Sequence, residues 1–215
     1  MSSFHSIVLG LVQGLTEFLP VSSSGHLIVI PWLLGWDDGG LTFDIALHFG
    51  TLVALIIYFK KEWLQLAKAL LRLRPRHFSE KNLLNADHEV RLALYIVAAT
   101  LPGAIIGFLL EKKAEHAFRD PKLIAITLAT MGAVLWLVDR LSKKSKPLSD
   151  IRLTDALIIG VAQWIAVVPG ISRSGVTISA AMVRNLNRES AARFSFLLSL
   201  PLIAGACLLK LRHLT

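Results

Sequence analysis

The sequence has a single cysteine in 215 residues, Cys207, which excludes an intrachain disulfide framework and a multi-cysteine zinc site. It falls in an apolar run and is expected in the core or against lipid. Charge is scarce as well. Charged residues make up 18% of the chain against 54% hydrophobic, with a mean hydropathy of +0.60, more apolar surface than a water-soluble domain of this length could cover. No lysine or arginine precedes Lys60, whereas Glu17, Asp37, Asp38 and Asp44 do, so the net charge of +8 is segregated along the chain. Such segregation suits membrane topology rather than a nucleic-acid groove, and no nucleic-acid partner is expected. Met1 to Leu19 lacks the basic start and small-residue cleavage site of a secretory signal, so the N-terminus is expected to stay on the mature protein.

What is present is a set of apolar segments. A helix needs roughly 20 apolar residues to cross a bilayer core of about 30 Å. Four stretches qualify: Phe43 to Phe59, Leu92 to Leu110, Leu123 to Val138 and Ala192 to Leu209. Residues 4–35 and 154–183 do not, because Pro20 with Ser22-Ser23-Ser24-Gly25 interrupts the first and Pro169-Gly170 with Ser172-Arg173-Ser174-Gly175 the second. Each arm is too short to span alone. Lys60 to Arg91 carries eight Lys/Arg and Arg140 to Arg152 carries five, so both loops should be cytoplasmic, while the nearly balanced turn Glu111 to Lys122 should face outside. A crossing by 154–183 would put Arg184, Arg188 and Arg193 outside; the basic residues favour a re-entrant hairpin instead. Lys60 to Arg72 reads as an amphipathic helix at the membrane interface.

Sliding the chain against itself by 150 positions aligns Gly10, Gln13, Ser22, Ser24, Gly25 and Ile28 with Gly160, Gln163, Ser172, Ser174, Gly175 and Ile178, identities in every pair. The register continues into the next helix, with Leu47, Leu52 and Ala54 on Leu197, Leu202 and Ala204. Three crossings lie between the copies, so the second must run through the bilayer in the opposite sense. The expected fold is an all-α polytopic membrane protein, one integral membrane domain over 1–215. It is built as an inverted repeat with two re-entrant helical hairpins and about four spanning helices, repeat 1 near 1–150 and repeat 2 near 151–215. Counterparts of the crossings within 92–138 would fall beyond Thr215, so the second repeat is expected to be incomplete.

Ionisable groups at membrane depth cost about 2.5–3.5 kcal/mol on insertion scales and are functional candidates. Glu17 precedes the first break, His26 follows it, and Arg173 sits in the second. If the hairpin tips meet, these three converge among Ser22, Ser23, Ser24, Gly25, Ser172, Ser174 and Thr177, a donor set suited to phosphate. Gln13 lies four residues before Glu17, on the same helical face; together they could offer oxygens to a divalent cation or simply hydrogen-bond the break. His26, three residues after Ser23, could act on its hydroxyl or be structural. Asp44, His48 and Thr51 form a polar stripe facing the interior, supporting the site from behind or serving structure alone. Transporters also use inverted repeats with midplane sites, so a lipid-phosphate carrier or flippase fits the same pattern.

The segments from Gln13 through Glu17, Pro20 and Ser23 to His26, and from Pro169 through Arg173 to Thr177, resemble the undecaprenyl-diphosphate phosphatase family associated with bacitracin resistance. The resemblance covers essentially the whole chain. It implies a multi-pass protein of the bacterial inner membrane that hydrolyses a polyprenyl diphosphate lipid, with a site open to the outer face. It further implies a divalent cation, Mg2+ or Ca2+, at Gln13 and Glu17, with Glu where this chain has Gln13 in many members. By the same resemblance Ser23 is the nucleophile, His26 its acid/base partner and Arg173 the phosphate clamp. Attack by water instead of Ser23, a homodimer, and an inactive short form all stay open at this point.

Overall fold

The computed structural model describes residues 1–37, 39–71, 86–117 and 120–211, with backbone alone at 41, 110–117, 210 and 211. Residues 72–85, in the middle of the first basic loop, and most side chains of the turn expected outside lie beyond the described residues.

The chain begins with α1 (Ser3–Thr16), capped by Ser2, whose hydroxyl accepts the His5 N–H at 3.2 Å. Pro20 disfavours helical backbone at the residue before it, and Ser22 takes a positive φ of 64°. Its hydroxyl then caps α2 (Ser23–Leu34), accepting from Gly25 N–H at 3.4 Å. Gly35, left-handed at φ 64°, ends α2. α3 (Gly40–Tyr58) and α4 (Lys60–Leu71) meet at a 79° bend. α5 (His88–Ala117) and α6 (Pro121–Leu141) follow, the latter started by Asp120, whose carboxylate accepts from Lys122 N–H at 2.9 Å. α7 (Leu153–Ala162) tightens into a 3-10 turn, Gln163–Val167, before the second break. α8 (Arg173–Val183) and α9 (Arg188–Leu211) complete the described chain.

Three helices are long and apolar enough to cross a membrane over His88–Leu109, Pro121–Leu141 and Arg188–Leu209, and α3 qualifies together with α4 across the bend. These are the four segments expected from hydropathy. The bend turns α4 away from α3, as an interfacial helix requires, while Leu66 and Ala69 bury on its inner face and Glu62 pairs with Arg193 at 3.0 Å.

Both interrupted segments return to the side they start from. His5, at the beginning of α1, stacks on Trp36 just past α2 with ring centroids 4.0 Å apart. Asp155, at the start of α7, accepts Arg184 Nε at 2.8 Å from the end of α8 and also binds Lys146. Lys146 N–H donates to Asn185 O and Asn187 N–H to Lys146 O, both at 2.9 Å, fastening the α8–α9 turn to the loop after α6. Arg188 adds two 2.7 Å bonds to Asp139. The cations that posed the topological question therefore stay beside the basic loop, and 154–183 is re-entrant. With α3, α5 and α6 between the hairpins, the second enters from the opposite face.

The repeat is visible in detail. Ser172 caps α8 by accepting from Gly175 N–H at 3.0 Å, as Ser22 does at Gly25. Ser172 Oγ contacts Ser174 Oγ at 2.9 Å and Ser22 Oγ contacts Ser24 Oγ at 3.3 Å. The repeat mates α3 and α9 pack side by side, and α6 lies against both α2 and α8. α5 crosses α7 so closely that a Cβ on Gly160 would stand 2.5 Å from Ala99 O. Tyr95, Ile159, Phe194, Leu197 and Leu198 fill the core. Phe4, Ile7, Leu11 and Leu15 on α1 and Ile105 and Phe108 on α5 face outward, as a hydrocarbon solvent permits.

Candidate active site

The two breaks touch. A Cβ on Gly25 would stand 3.2 Å from Gly170 Cα, and Ser174 Oγ donates to Leu19 O at 3.2 Å. Thr127 of α6 holds the second break in place by donating to Pro169 O at 2.9 Å. Beside this contact lies a cavity of about 420 Å³ walled by α1, α2, α3, α5, α8 and α9.

Glu17 is its centre. It closes α1 by donating its N–H to Gln13 O at 2.9 Å, so its side chain emerges where the helix stops. The carboxylate, on a residue only 8% exposed, accepts Ser23 Oγ–H at 2.6 Å and Gln13 Nε2 at 3.1 Å on Oε2, and binds the Arg173 guanidinium through Oε1. His48 Nε2 stands 3.7 Å from Oε2, its ring held by an Nδ1 bond to Asp44 O at 2.8 Å. Arg173 also reaches Ser199 O through Nη1 at 3.4 Å. A buried carboxylate is thus balanced by one guanidinium, with a serine hydroxyl already aligned to surrender its proton. α2 and α8 both begin at this cavity, so two positive helix ends face it, an environment suited to an anion.

Of the residues expected from sequence, Glu17, Ser22, Ser23, Ser24, Asp44, His48, Ser172, Arg173 and Ser174 line the cavity. Gln13, Gly25, His26 and Thr177 are not among its lining residues. Gln13 sits behind Glu17. Gly25 contributes a backbone N–H to the Ser22 cap and room for Gly170. Thr177 bonds Ser195 Oγ at 2.6 Å and joins α8 to α9. His26 bonds Ser22 O through Nδ1 at 2.8 Å, while the Ser23 hydroxyl goes to Glu17. The imidazole at the carboxylate is therefore His48. Sequence reasoning gave Gln163 no site role, yet it lines the cavity with its amide tied to Ala99 O at 3.0 Å; its place opposite Gln13 in the repeat was the available signal. Cys207 also lines the wall.

No group of three or more His, Cys, Asp or Glu able to hold a metal occurs among the described residues. Gln13 Oε1, however, is buried without a hydrogen-bond partner among them, next to Glu17. An amide oxygen and a carboxylate make too few donors for a protein-enclosed ion. They suffice for one completed by phosphate oxygens and water, the arrangement in which Mg2+ takes one or two carboxylates from protein.

Residues 6–215 match the profile of the family described as bacitracin resistance protein BacA. The chain belongs to this family. Similar to it are the undecaprenyl-diphosphatase of Moorella thermoacetica, 50% identical over all of this chain and 78% of that protein, and that of Pelotomaculum thermopropionicum, 49% identical over all of this chain and 77% of the relative. The undecaprenyl-diphosphatase of Geobacter metallireducens is 49% identical, again over the whole chain and 77% of its own length. The BacA family thus takes in the whole polar assembly described above, from Gln13 to Arg173.

Proposed function

We propose that this protein hydrolyses undecaprenyl diphosphate to undecaprenyl phosphate and inorganic phosphate in the bacterial inner membrane, from a site facing the outer side. The reading rests on the Glu17–Ser23–Arg173 constellation in a cavity where two helix N-termini meet, and is supported by the family and by relatives named for this reaction. Positive-inside asymmetry supports the orientation, since the basic loops adjoin the hairpin opposite α1 and α2.

Arg173 receives the terminal phosphate, which competes with Glu17 for the guanidinium and leaves the carboxylate available as a base. Ser23 gives its proton to Glu17 while Oγ forms a bond to the terminal phosphorus. The anhydride P–O bond breaks and undecaprenyl phosphate departs with the bonding pair. Water then hydrolyses the phosphoserine, and Glu17 relays the proton. His26 donates its Nδ1–H to the Ser22 carbonyl, and His48 Nε2 stands 3.7 Å from the carboxylate on its other side. Ser22, Ser24, Ser172 and Ser174 supply hydroxyls around the phosphate oxygens. Gln13 and Glu17 would hold a divalent cation, Mg2+ or Ca2+, which when bound neutralises diphosphate charge.

The test is phosphate release from undecaprenyl diphosphate by the purified chain, abolished by Glu17→Ala. Movement of the lipid between leaflets with no phosphate released would assign the site to a carrier instead.

A further inference from the structure

A second cavity, about 230 Å³, lies between α4, α5 and α9. Its lining is Trp63, Leu66, Leu70, Val97, Leu101 and Pro201 with a few neighbours, apolar apart from the buried Trp63 indole N–H and Thr100, whose hydroxyl is spent on Ile96 O at 2.7 Å. Leu70, Val97 and Leu101 are 39%, 45% and 55% exposed, so the groove opens sideways toward the bilayer. It shares two walls with the phosphate cavity. Along α5, Ile96 and Thr100 line the groove while Gly103 and Gly107 line the cavity, successive positions of one helical face. Along α9, Pro201 belongs to the groove and its neighbours Leu202 and Ile203 to the cavity.

Resting on the hydrolase reading, we infer that this groove is the binding track for the substrate's polyprenyl tail. The diphosphate sits at the hairpin tips and the chain runs along α5 past Leu101 and Val97 toward α4. A polar headgroup drawn to membrane depth forces its own tail further along the protein, and the α5 face supplies an apolar path starting at that site. A Cβ at Gly107 would meet nothing within 4 Å, so room is left there at the junction, while Gly103 lets Gln163 pack closely against α5. Chain length is then read by the groove and phosphate by the cavity.

The experiment compares undecaprenyl diphosphate with inorganic diphosphate, which has no tail, on Val97→Trp and Leu101→Trp, with Val134→Trp on the outward face of α6 as control. Filling the groove should raise KM for the long substrate about tenfold, the loss of roughly two buried methylenes of contact. Inorganic diphosphate kinetics and the control should stay unchanged, which also establishes that the variants fold. Equal effects on both substrates, or none on either, would overturn the assignment. So would a photoreactive residue at position 97 that crosslinks bulk phospholipid and not the polyprenyl substrate. If the unmodified protein releases phosphate from neither substrate, the hydrolase reading itself fails and the tail track goes with it; release from both with no chain-length effect removes only the track.

Discussion

Glu17→Gln isolates the charge at the centre of the site while keeping its shape. In the native protein the carboxylate accepts from Ser23, Gln13 and Arg173 at once. A glutamine can offer its oxygen to Arg173 but then turns an NH2 toward Oε2's partners, and Gln13 must rotate its own amide to present Oε1, the atom that lacks a partner. Hydrogen bonds to a charged group contribute about 1.5–3 kcal/mol each. Arg173 keeps partial solvent access at 23% side-chain exposure, so the loss of its counter-charge costs less than the roughly 3–5 kcal/mol of a fully buried pair. A stability loss of about 2–3 kcal/mol follows, read as a lowered Tm in detergent. Catalysis should suffer more, because the carboxylate bonded to Ser23 is gone: kcat falls by roughly two to four orders of magnitude, the range for a positioned general base. Phosphate release measured at saturating substrate separates the two effects. Retention of even a tenth of native kcat by a folded Glu17→Gln protein would refute the assignment of Glu17 as base.

Arg173→Lys keeps the charge but loses the planar fork, and kcat/KM should drop about hundredfold, as when one preorganised oxyanion donor is removed; steady-state kinetics on the folded variant measure it. Ser23→Ala should lose at least about a hundredfold of phosphate release, whereas near-native release from Ser23→Ala together with its loss in His26→Ala would transfer the attack to water. At the opposite end, burial works against ionised Asp155, yet hydrogen bonds from Lys146 and Arg184 outweigh it and hold its pKa below the usual aspartate value. Its contribution is therefore complete above the unfolded value of about 4 and lost as pH falls through the lower folded one. Thermal melts should show an acid limb that Asp155→Asn flattens, with a neutral-pH cost on the order of 2 kcal/mol because Arg184 stays 40% exposed.

Hydropathy and the 150-residue register made the spans and the paired hairpins legible, because bilayer thickness and helix rise leave little freedom once segment lengths are known. The convergence of Glu17, Ser23 and Arg173 followed from tip-to-tip hairpins. Finer allocation did not. Sequence spacing could not show that the Ser23 hydroxyl turns to Glu17, six residues back across the break, or that the α3 face presents His48 to that same carboxylate. Thr177 looked like a phosphate ligand for its place in a hydroxyl-rich motif, but it lies one turn into α8, where α9 brings Ser195 to meet it. The His48–Glu17 and Thr177–Ser195 contacts join different helices, and local pattern does not encode packing of that kind.

The repeat also explains why the site needs both halves. The backbone devices are duplicated, serine cap for serine cap and glycine for glycine, so each hairpin presents a helix N-terminus to the cavity. The acid, the nucleophilic hydroxyl and the guanidinium are not duplicated. Position for position, Glu17 corresponds to Val167, Ser23 to Arg173 and His26 to Val176. Two carboxylates facing each other at this depth would repel both one another and a diphosphate; two arginines would bind phosphate with no base to activate attack. Dividing acid and hydroxyl to one hairpin and the guanidinium to the other makes a neutral resting pair that an incoming phosphate must break, and breaking it releases the base beside the hydroxyl. Swapping the two roles, Glu17→Arg with Arg173→Glu, should therefore preserve the ion pair and the fold while leaving Ser23 facing a cation, and phosphate release should not recover.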